Sequence, residues 1–399
     1  PAYGESKSFL DNLNKFPRPT GDLLLLVVLN KPDWAEKPDP NEELRSAIQN
    51  LPISVGSDNL KIKAVKDGID LLVIDQEIEH SLPESINVGK ARKIGFDIAL
   101  AWYSIGVIQS DWISSTDADA ILPPDYFDRI ENIDAETRAI CWPYAHMPSG
   151  HVALDTACKL YAIHLHHYAL GLSYAKSIYN YHSLGSCISI RGQAYAEVRG
   201  FPSRAAGEDF YMLNKLRKVG SIASLSGQCI SIATRESCRV PFGTGRAITL
   251  LLQSKIATTD YLVYNPQCFA ILKAILSKIH LIWDADLESF QNLLKQQGLP
   301  NDHCFAAEIC LRKLGLEKII DHSRKHSSSI EGFLNHFSIW FDAFRTLKFI
   351  HCLESKHKDL SKIPIKSYQD HTPPDWPIDL NKDSTLDKIL HSHRLHVGW

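Results

Sequence analysis

A chain of 399 residues is long enough for a sizeable core, and the usual domain size favours two domains over one. Its 44% apolar and 22% charged residues exclude a disordered or fibrous protein. A formal net charge of -3, from 43 basic and 46 acidic side chains, excludes an overall field that would recruit nucleic acid or an anionic membrane, so any anion site has to be local.

Pro1-Ala2-Tyr3-Gly4-Glu5 reads like the loop that follows a strand, and the segment before Pro1 is expected to supply a central one. Asp22 to Asn30 is a continuous Leu/Val run between Gly21 and Lys31-Pro32, the pattern of a strand buried on both faces, and Gly68 to Asp75 repeats it. Val88 to Val107 carries Ala91, Ile94, Ile98, Ala99 and Trp102 at helical spacing, and Trp112 to Thr116 makes another short strand. Strand, helix and strand in this order predict right-handed crossovers and a mostly parallel, Rossmann-like α/β sheet. Tyr161 to Ala175 reads as a helix, Cys187 to Ile190 as a strand, and Gly207 to Val219 as a helix with an acidic start.

From about Ala247 onward the strand signals vanish. Helical patterns occupy Phe269 to Ile282, Leu287 to Gln296, Cys304 to Leu314 and Ile330 to Cys352. The expected division is therefore an α/β domain over 1–245 and a helical one over 246–399, whose tail from Ile363, rich in Pro, Asp, Lys and His, lies on the surface. Nine scattered cysteines without a C-x-x-C pair argue against a disulfide framework and a structural zinc site, and point to a reducing, cytoplasmic setting. The runs Leu23 to Leu29 and Phe269 to Trp283 are too short or too interrupted to span a bilayer, so neither a transmembrane segment nor a signal peptide is expected.

Asp117-Ala118-Asp119 closes the strand Trp112 to Thr116. Ligands of open parallel sheets bind beyond the carboxyl ends of strands. Carboxylates at i and i+2 can converge on one hard cation, and Mg or Mn held by few protein oxygens leaves positions for substrate phosphates. Three letters also arise by chance: Asp284-Ala285-Asp286 has the same spelling, and there acidic residues at a helix start explain it.

Glu208-Asp209 opens the helix after Gly207. Dipole pairing alone accounts for such a pair, but the position also aims a carboxylate toward a sheet-edge crevice, where it can take a proton from an acceptor hydroxyl. Lys90, Arg92 and Lys93 gather at one helix start, and Arg235, Arg239 and Arg246 surround Pro241-Phe242-Gly243-Thr244-Gly245. Guanidinium forks suit phosphate oxygens, which favours Arg235 and Arg239; Lys93 reads as a solvated charge. His164, His166 and His167 resemble a metal cluster, yet 164 and 167 share one helical face and 166 another, so packing is the plainer account. His182, before a strand, is a candidate acceptor contact.

The order of these motifs resembles family 2 glycosyltransferases of the GT-A fold. The family's opening loop is matched by Pro1-Ala2-Tyr3-Gly4-Glu5, its glycine and Ala-Arg segment by Gly89 and Ala91-Arg92-Lys93-Ile94-Gly95, and its metal motif by Asp117-Ala118-Asp119. Its Gly-Gly-Phe-like turn is matched by Arg199-Gly200-Phe201 and its acidic pair by Glu208-Asp209. The match covers roughly the first 245 residues. The resemblance implies inverting transfer of a sugar from a nucleoside diphosphate to an acceptor hydroxyl. Pro1, Tyr3, Glu5 and Gly89 would line the nucleotide sugar, and Arg92 its phosphates or base. Asp117 and Asp119 would hold Mg or Mn, with Asp117 also facing the donor, and Asp209, beside Glu208, would be the general base. Asn30 stands where the family has Asp-Asp-x-Ser, leaving the nucleotide open, and the absence of Gln-x-x-Arg-Trp points away from a processive synthase. The rivals are a degenerate GT-A domain acting as a binding module and a haloacid-dehalogenase-like phosphatase, whose D-x-D normally comes early in the chain.

Overall fold

The computed structural model describes residues 2–5, 7–31, 40–56, 61–75, 87–236, 243–254, 256–283, 287–379 and 384–396. The chain forms two compact units, one of residues 1–158 and 183–253, the other of residues 159–182 and 254–398. A single cut near Gly245 therefore does not describe the chain, because the second unit borrows an internal segment.

In the first unit, helix α1 (Ser8–Asn14) leads to strand β1 (Leu23–Leu29), then α2 (Glu42–Gln49), β2 (Ile53–Gly56), β3 (Lys61–Lys66) and β4 (Ile69–Asp75). Helix α3 (Asn87–Ser104) precedes β5 (Trp112–Ser115), α4 (Asp128–Glu131), β6 (Thr137–Cys141) and β7 (Tyr144–His146). Helix α5 (Val152–Tyr174) runs from the first unit into the second. The first unit resumes with β8 (Ile188–Arg191), α6 (Gly192–Glu197), α7 (Glu208–Leu216), β9 (Ser221–Ser224), β10 (Ile230–Ile232) and α8 (Thr244–Ser254).

The two Leu/Val-rich strands pair in parallel over their whole length, from Leu23 with Ile69 to Leu29 with Asp75. Helix α3 covers them, with Ala91 and Val28 buried against each other and Ile74 and Ile94 beside them. The rest departs from the expected mostly parallel sheet. Two four-stranded sheets form, ordered β1-β4-β3-β2 and β5-β8-β6-β9, and both are mixed. In the first sheet the reason is local: β2, β3 and β4 follow one another closely in sequence, and such neighbours pair antiparallel without needing a crossover helix. Asp67-Gly68 makes the turn between β3 and β4, with Gly68 at φ 74°. The sequence pattern conceals β2, whose residues are all exposed, and β3, where lysines alternate with apolar residues.

At its other edge β1 carries Ala2, whose N–H donates to the Val28 carbonyl at 2.8 Å and whose carbonyl accepts from Asn30 N–H at 2.9 Å, in parallel register with Leu29. The loop of residues 2–5 is thus tied to the carboxyl end of β1.

The second unit is mainly helical: α9 (Pro266–Lys278), α10 (Leu287–Lys295), α11 (Asn301–Leu314), α12 (Leu316–His326), α13 (Ile330–Trp340), α14 (Ala343–Lys356) and α15 (Leu386–His396), with a two-residue strand pair, β11 (Leu262–Val263) and β12 (Ile363–Pro364). The expected helix Ile330 to Cys352 breaks at Phe341-Asp342, where the Asp342 carboxylate accepts from Arg345 N–H at 3.0 Å and caps α14. The tail is not a surface strap. Ile363, Tyr368, Trp376, Ile378, Ile389, Leu390 and His393 are buried in the core of this unit, because aromatic and branched residues spaced among its polar ones supply an inward face. The cysteines also depart from expectation at one point: Cys310 of α11 and Cys352 of α14 form a disulfide, while the other described cysteines are free thiols. No helix among the described residues is long and apolar enough to cross a membrane.

Candidate active site

Asp117-Ala118-Asp119 follows the carboxyl end of β5, as its position in the sequence requires. Two contacts fix this loop. Asn12 of α1 donates from Nδ2 to the Ala118 carbonyl at 3.2 Å, and Ile121 pairs antiparallel with Ser231 of β10 through hydrogen bonds of 2.8 and 2.9 Å. That pairing carries the segment after β10 back alongside the D-x-D loop, which is how Arg235 reaches it. Arg235 Nε lies 2.7 Å from Asp119 Oδ2, and its Nη2 lies 3.3 Å from Glu5 Oε1.

The second acidic motif arrives on α7. Gly207 takes φ 72°, a left-handed conformation that favours glycine, and starts the helix; Met212, Leu213 and Leu216 bury its inner face. Glu208 and Asp209 then occupy the first turn, where the helix dipole favours negative charge.

Arg92, in the first turns of α3, joins the two motifs. Its side chain is only 7% exposed. Nε donates to Glu208 Oε1 at 2.9 Å and Nη2 to Asp117 Oδ1 at 3.2 Å, while Nη1 donates to the Gly185 carbonyl at 2.9 Å and to Ser115 Oγ. Burial works against its charge, but the carboxylates of Asp117, Glu208 and Asp209 outweigh that and hold the guanidinium above its ordinary range. Arg92 is therefore committed to protein oxygens rather than aimed at phosphate as the resemblance implies, with donors on three nitrogens spread over four partners, which lysine cannot copy.

Asp209 is half-buried. Desolvation, followed by the charge of Glu208, pushes its carboxyl up to about 7, against the pull of Arg92 and of the Phe210 and Gly185 N–H groups. Phe210 N–H donates to Asp209 Oδ1 at 2.7 Å. A carboxyl titrating near neutrality beside a charged partner is matched to proton transfer. Burial also raises the Asp119 carboxyl; Arg235 opposes this, and Asp117 and Glu5 add to it.

The residues fit a hard divalent cation. Asp117 and Asp119 offer carboxylate oxygens, Asp117 with 40% of its side chain exposed. Among the described residues no group of three His, Cys, Asp or Glu side chains is arranged to hold a metal alone. A cation taking oxygens from these two aspartates would keep positions for water or phosphate, the pattern of Mg and Mn rather than of structural zinc.

The other expected site residues divide as follows. Tyr3 and Glu5 lie in the loop tied to β1, and Asn30 is buried at the end of that strand. Gly89 packs rather than opens: a Cβ there would come within 2.5 Å of Arg204 N and 2.6 Å of the Pro202 carbonyl, so glycine lets α3 meet the loop after Phe201. Lys93 pairs with Asp97 at 2.8 Å and Arg246 is exposed. His182 is buried and belongs to the second unit, whereas Asp209 belongs to the first. Pro1 and Arg239 lie outside the described residues, as does Asp284-Ala285-Asp286. His164 and His167 pack among aromatic rings of the second unit: His164 against Tyr261 and Tyr264, and His167 against Phe269, Tyr368 and Trp376. His166 is fully buried.

Sequence reasoning missed two supporting residues. Asn41 has the spelling of a helix cap, but its side chain accepts from Gly4 N–H at 2.8 Å and donates to the Asn30 carbonyl at 3.2 Å, locking the loop of Glu5 to the end of β1. Gly185 leaves room for Arg92, since a Cβ would sit 2.7 Å from its Nη2. Neither role has a local signal.

The sequence matches no protein-family model and no curated protein. Among solved structures, the chain is similar to the mannosyltransferase PcManGT from Pyrobaculum calidifontis, solved in complex with GDP-Man and Mn2+. The identity is 13%, over 90% of this chain and 86% of that one, and the TM-score is 0.38. A likeness of that size carries no argument about this chain.

Proposed function

We propose that this chain is a divalent-metal-dependent glycosyltransferase that moves a sugar from a nucleoside-diphosphate donor to an acceptor hydroxyl, with inversion and without processive polymerisation. The observation that carries the reading is the convergence of Asp117 and Glu208 on one buried guanidinium, Arg92, with Asp119 and Glu5 joined by Arg235. Glycosyl transfer from a diphosphate needs positive charge beside the departing phosphates, which a bound cation can supply, and, apart from it, a base for the acceptor. The two motifs offer both.

In this mechanism Asp117 and Asp119 would hold Mg or Mn, which supplies charge to the departing diphosphate. Tyr3, Glu5 and Asn30 line the donor loop at the end of β1, and Asp209 takes the proton of the acceptor hydroxyl as the new glycosidic bond forms. Its carboxyl, at about 7, is ionised in a useful fraction at neutral pH. Glu208 stays paired to Arg92 and keeps Asp209 oriented. Asp117 accepts a hydrogen bond from Arg92, which suits a ligand oxygen better than the nucleophile of a phosphatase. Thermal melts with a panel of nucleotide sugars, with Mn2+ and with chelator, test the reading, because a ligand that binds only the folded state stabilises it by RT ln(1 + L/Kd), L being its free concentration. One sugar nucleotide should stabilise wild type only with metal, and Asp119→Ala should abolish that response and the turnover. Equal turnover in chelator, or in the variant, would sink it.

A further inference from the structure

We infer that Arg235 and a divalent cation compete for Asp119, so that the arginine is a resident counter-ion which the metal displaces and releases toward the donor phosphates. The inference rests on the glycosyltransferase reading and concerns its metal site. Arg235 makes its closer contact, 2.7 Å, with the same carboxylate that the D-x-D pattern offers to a cation, and its second, 3.3 Å, with Glu5 of the donor loop. Glu5 and Asp119 are 15% and 22% exposed, so both carboxylates gain from a cationic neighbour; Arg235 is 37% exposed and has room to leave. A guanidinium and a dication on one carboxylate repel each other, and that repulsion is strong in a partly desolvated site.

The sequence supplies the means of exchange. Arg235 stands just beyond β10, whose Ser231 is hydrogen-bonded to Ile121, so its backbone is held beside the D-x-D loop while the long side chain has its own torsions through which to swing. Displaced from Asp119, the guanidinium would keep Glu5 within reach, and a diphosphate drawn to the cation would offer it further anionic oxygens, which its fork suits. One residue then serves two steps: it holds Asp119 and Glu5 together beforehand, and it neutralises donor charge afterwards.

The test is a Mn2+ titration without nucleotide, followed by the electron paramagnetic resonance of free Mn2+, on wild type, Arg235→Gln, Arg235→Lys and Asp119→Asn. Each protein is first checked for a native melting transition. The ion pair is partly exposed, so its removal should tighten Mn2+ binding by only about two- to fivefold in Arg235→Gln. Arg235→Lys should stay near wild type and Asp119→Asn should bind weakly. With Mn2+ saturating, the same Arg235→Gln protein should bind the donor diphosphate more weakly, a reversal that a purely structural arginine does not produce. Unchanged or weaker Mn2+ binding by Arg235→Gln overturns the competition and leaves the glycosyltransferase reading standing. Absence of Mn2+ binding by wild type and variant alike overturns both.

Discussion

Arg92→Gln is the sharpest perturbation of the site. The change removes a guanidinium that is 7% exposed and donates to Glu208, Asp117, Ser115 and the Gly185 carbonyl. Glutamine is neutral and shorter, and can replace one of these bonds at most. Breaking a buried pair from one side costs about 3–5 kcal/mol because the remaining charge stays desolvated. Here Asp117 is 40% exposed and recovers water, so Glu208, at 6%, carries most of the loss, and the lower end of that range, about 3 kcal/mol, applies. The loss should shrink at low pH: Arg92 pulls the Asp209 carboxyl downward, so without it the protonated Asp209 is favoured still more in the folded state, and acid relieves the variant more than wild type. Asp209 gives a second readout. Arg92 pulls its carboxyl downward from the level set by burial and Glu208, so the low-pH limb of the variant's turnover should lie at a higher pH than that of wild type, expected at about 7. Denaturant midpoints at pH 6 and pH 8, together with a pH–rate profile, measure both effects, and Arg92→Lys should fall between the two proteins. A Gln variant within about 1 kcal/mol of wild type at pH 8, with its low-pH limb unmoved, would refute the assignment of Arg92 as the link between the motifs.

Asp209→Asn should lower turnover by about a hundred- to ten-thousandfold with donor affinity nearly intact. The folded carboxyl is raised to about 7, so its contribution to stability is full below its unfolded value and is lost as pH rises through about 7. The variant should therefore gain on wild type above neutrality, whereas a carboxylate acting only on the helix dipole predicts a loss of about 0.3–1 kcal/mol with normal turnover. Gly185→Ala puts a Cβ 2.7 Å from Arg92 Nη2 and should cost about 1–3 kcal/mol in a chemical melt; an unperturbed midpoint would show that the guanidinium moves freely. In the second unit, burial lowers His393 to about 4, and its Nε2 lies 3.4 Å from Nδ1 of His167, which burial and His393 hold well below its ordinary range. Both histidines are neutral when folded, so stability is full above about 6.5 and falls as pH drops toward about 4, by at most about 3 kcal/mol for His393. Urea midpoints across that window should be flatter for His393→Gln, and parallel curves would count against the histidine assignment.

The sequence alone determined what depends on short windows. The Leu/Val run of β1, its echo in β4, the strand just before Asp117 and the helix that begins at Glu208 all appear within a residue or two of where they were expected, because burial period and capping chemistry are properties of neighbouring residues. Tertiary structure decided the partners. Arg92 and Glu208 stand 116 residues apart and Arg235 and Glu5 stand 230 apart, and no local pattern says that one arginine is committed to carboxylates while the other shares a prospective metal ligand. The same holds for the antiparallel run of β2, β3 and β4, for the buried tail residues Tyr368, Trp376 and His393, and for the joining of Cys310 to Cys352. Each depends on which surfaces meet after the chain has folded, and that choice is made by burial and hydrogen-bond satisfaction summed over both units' cores rather than by the residues nearest in sequence.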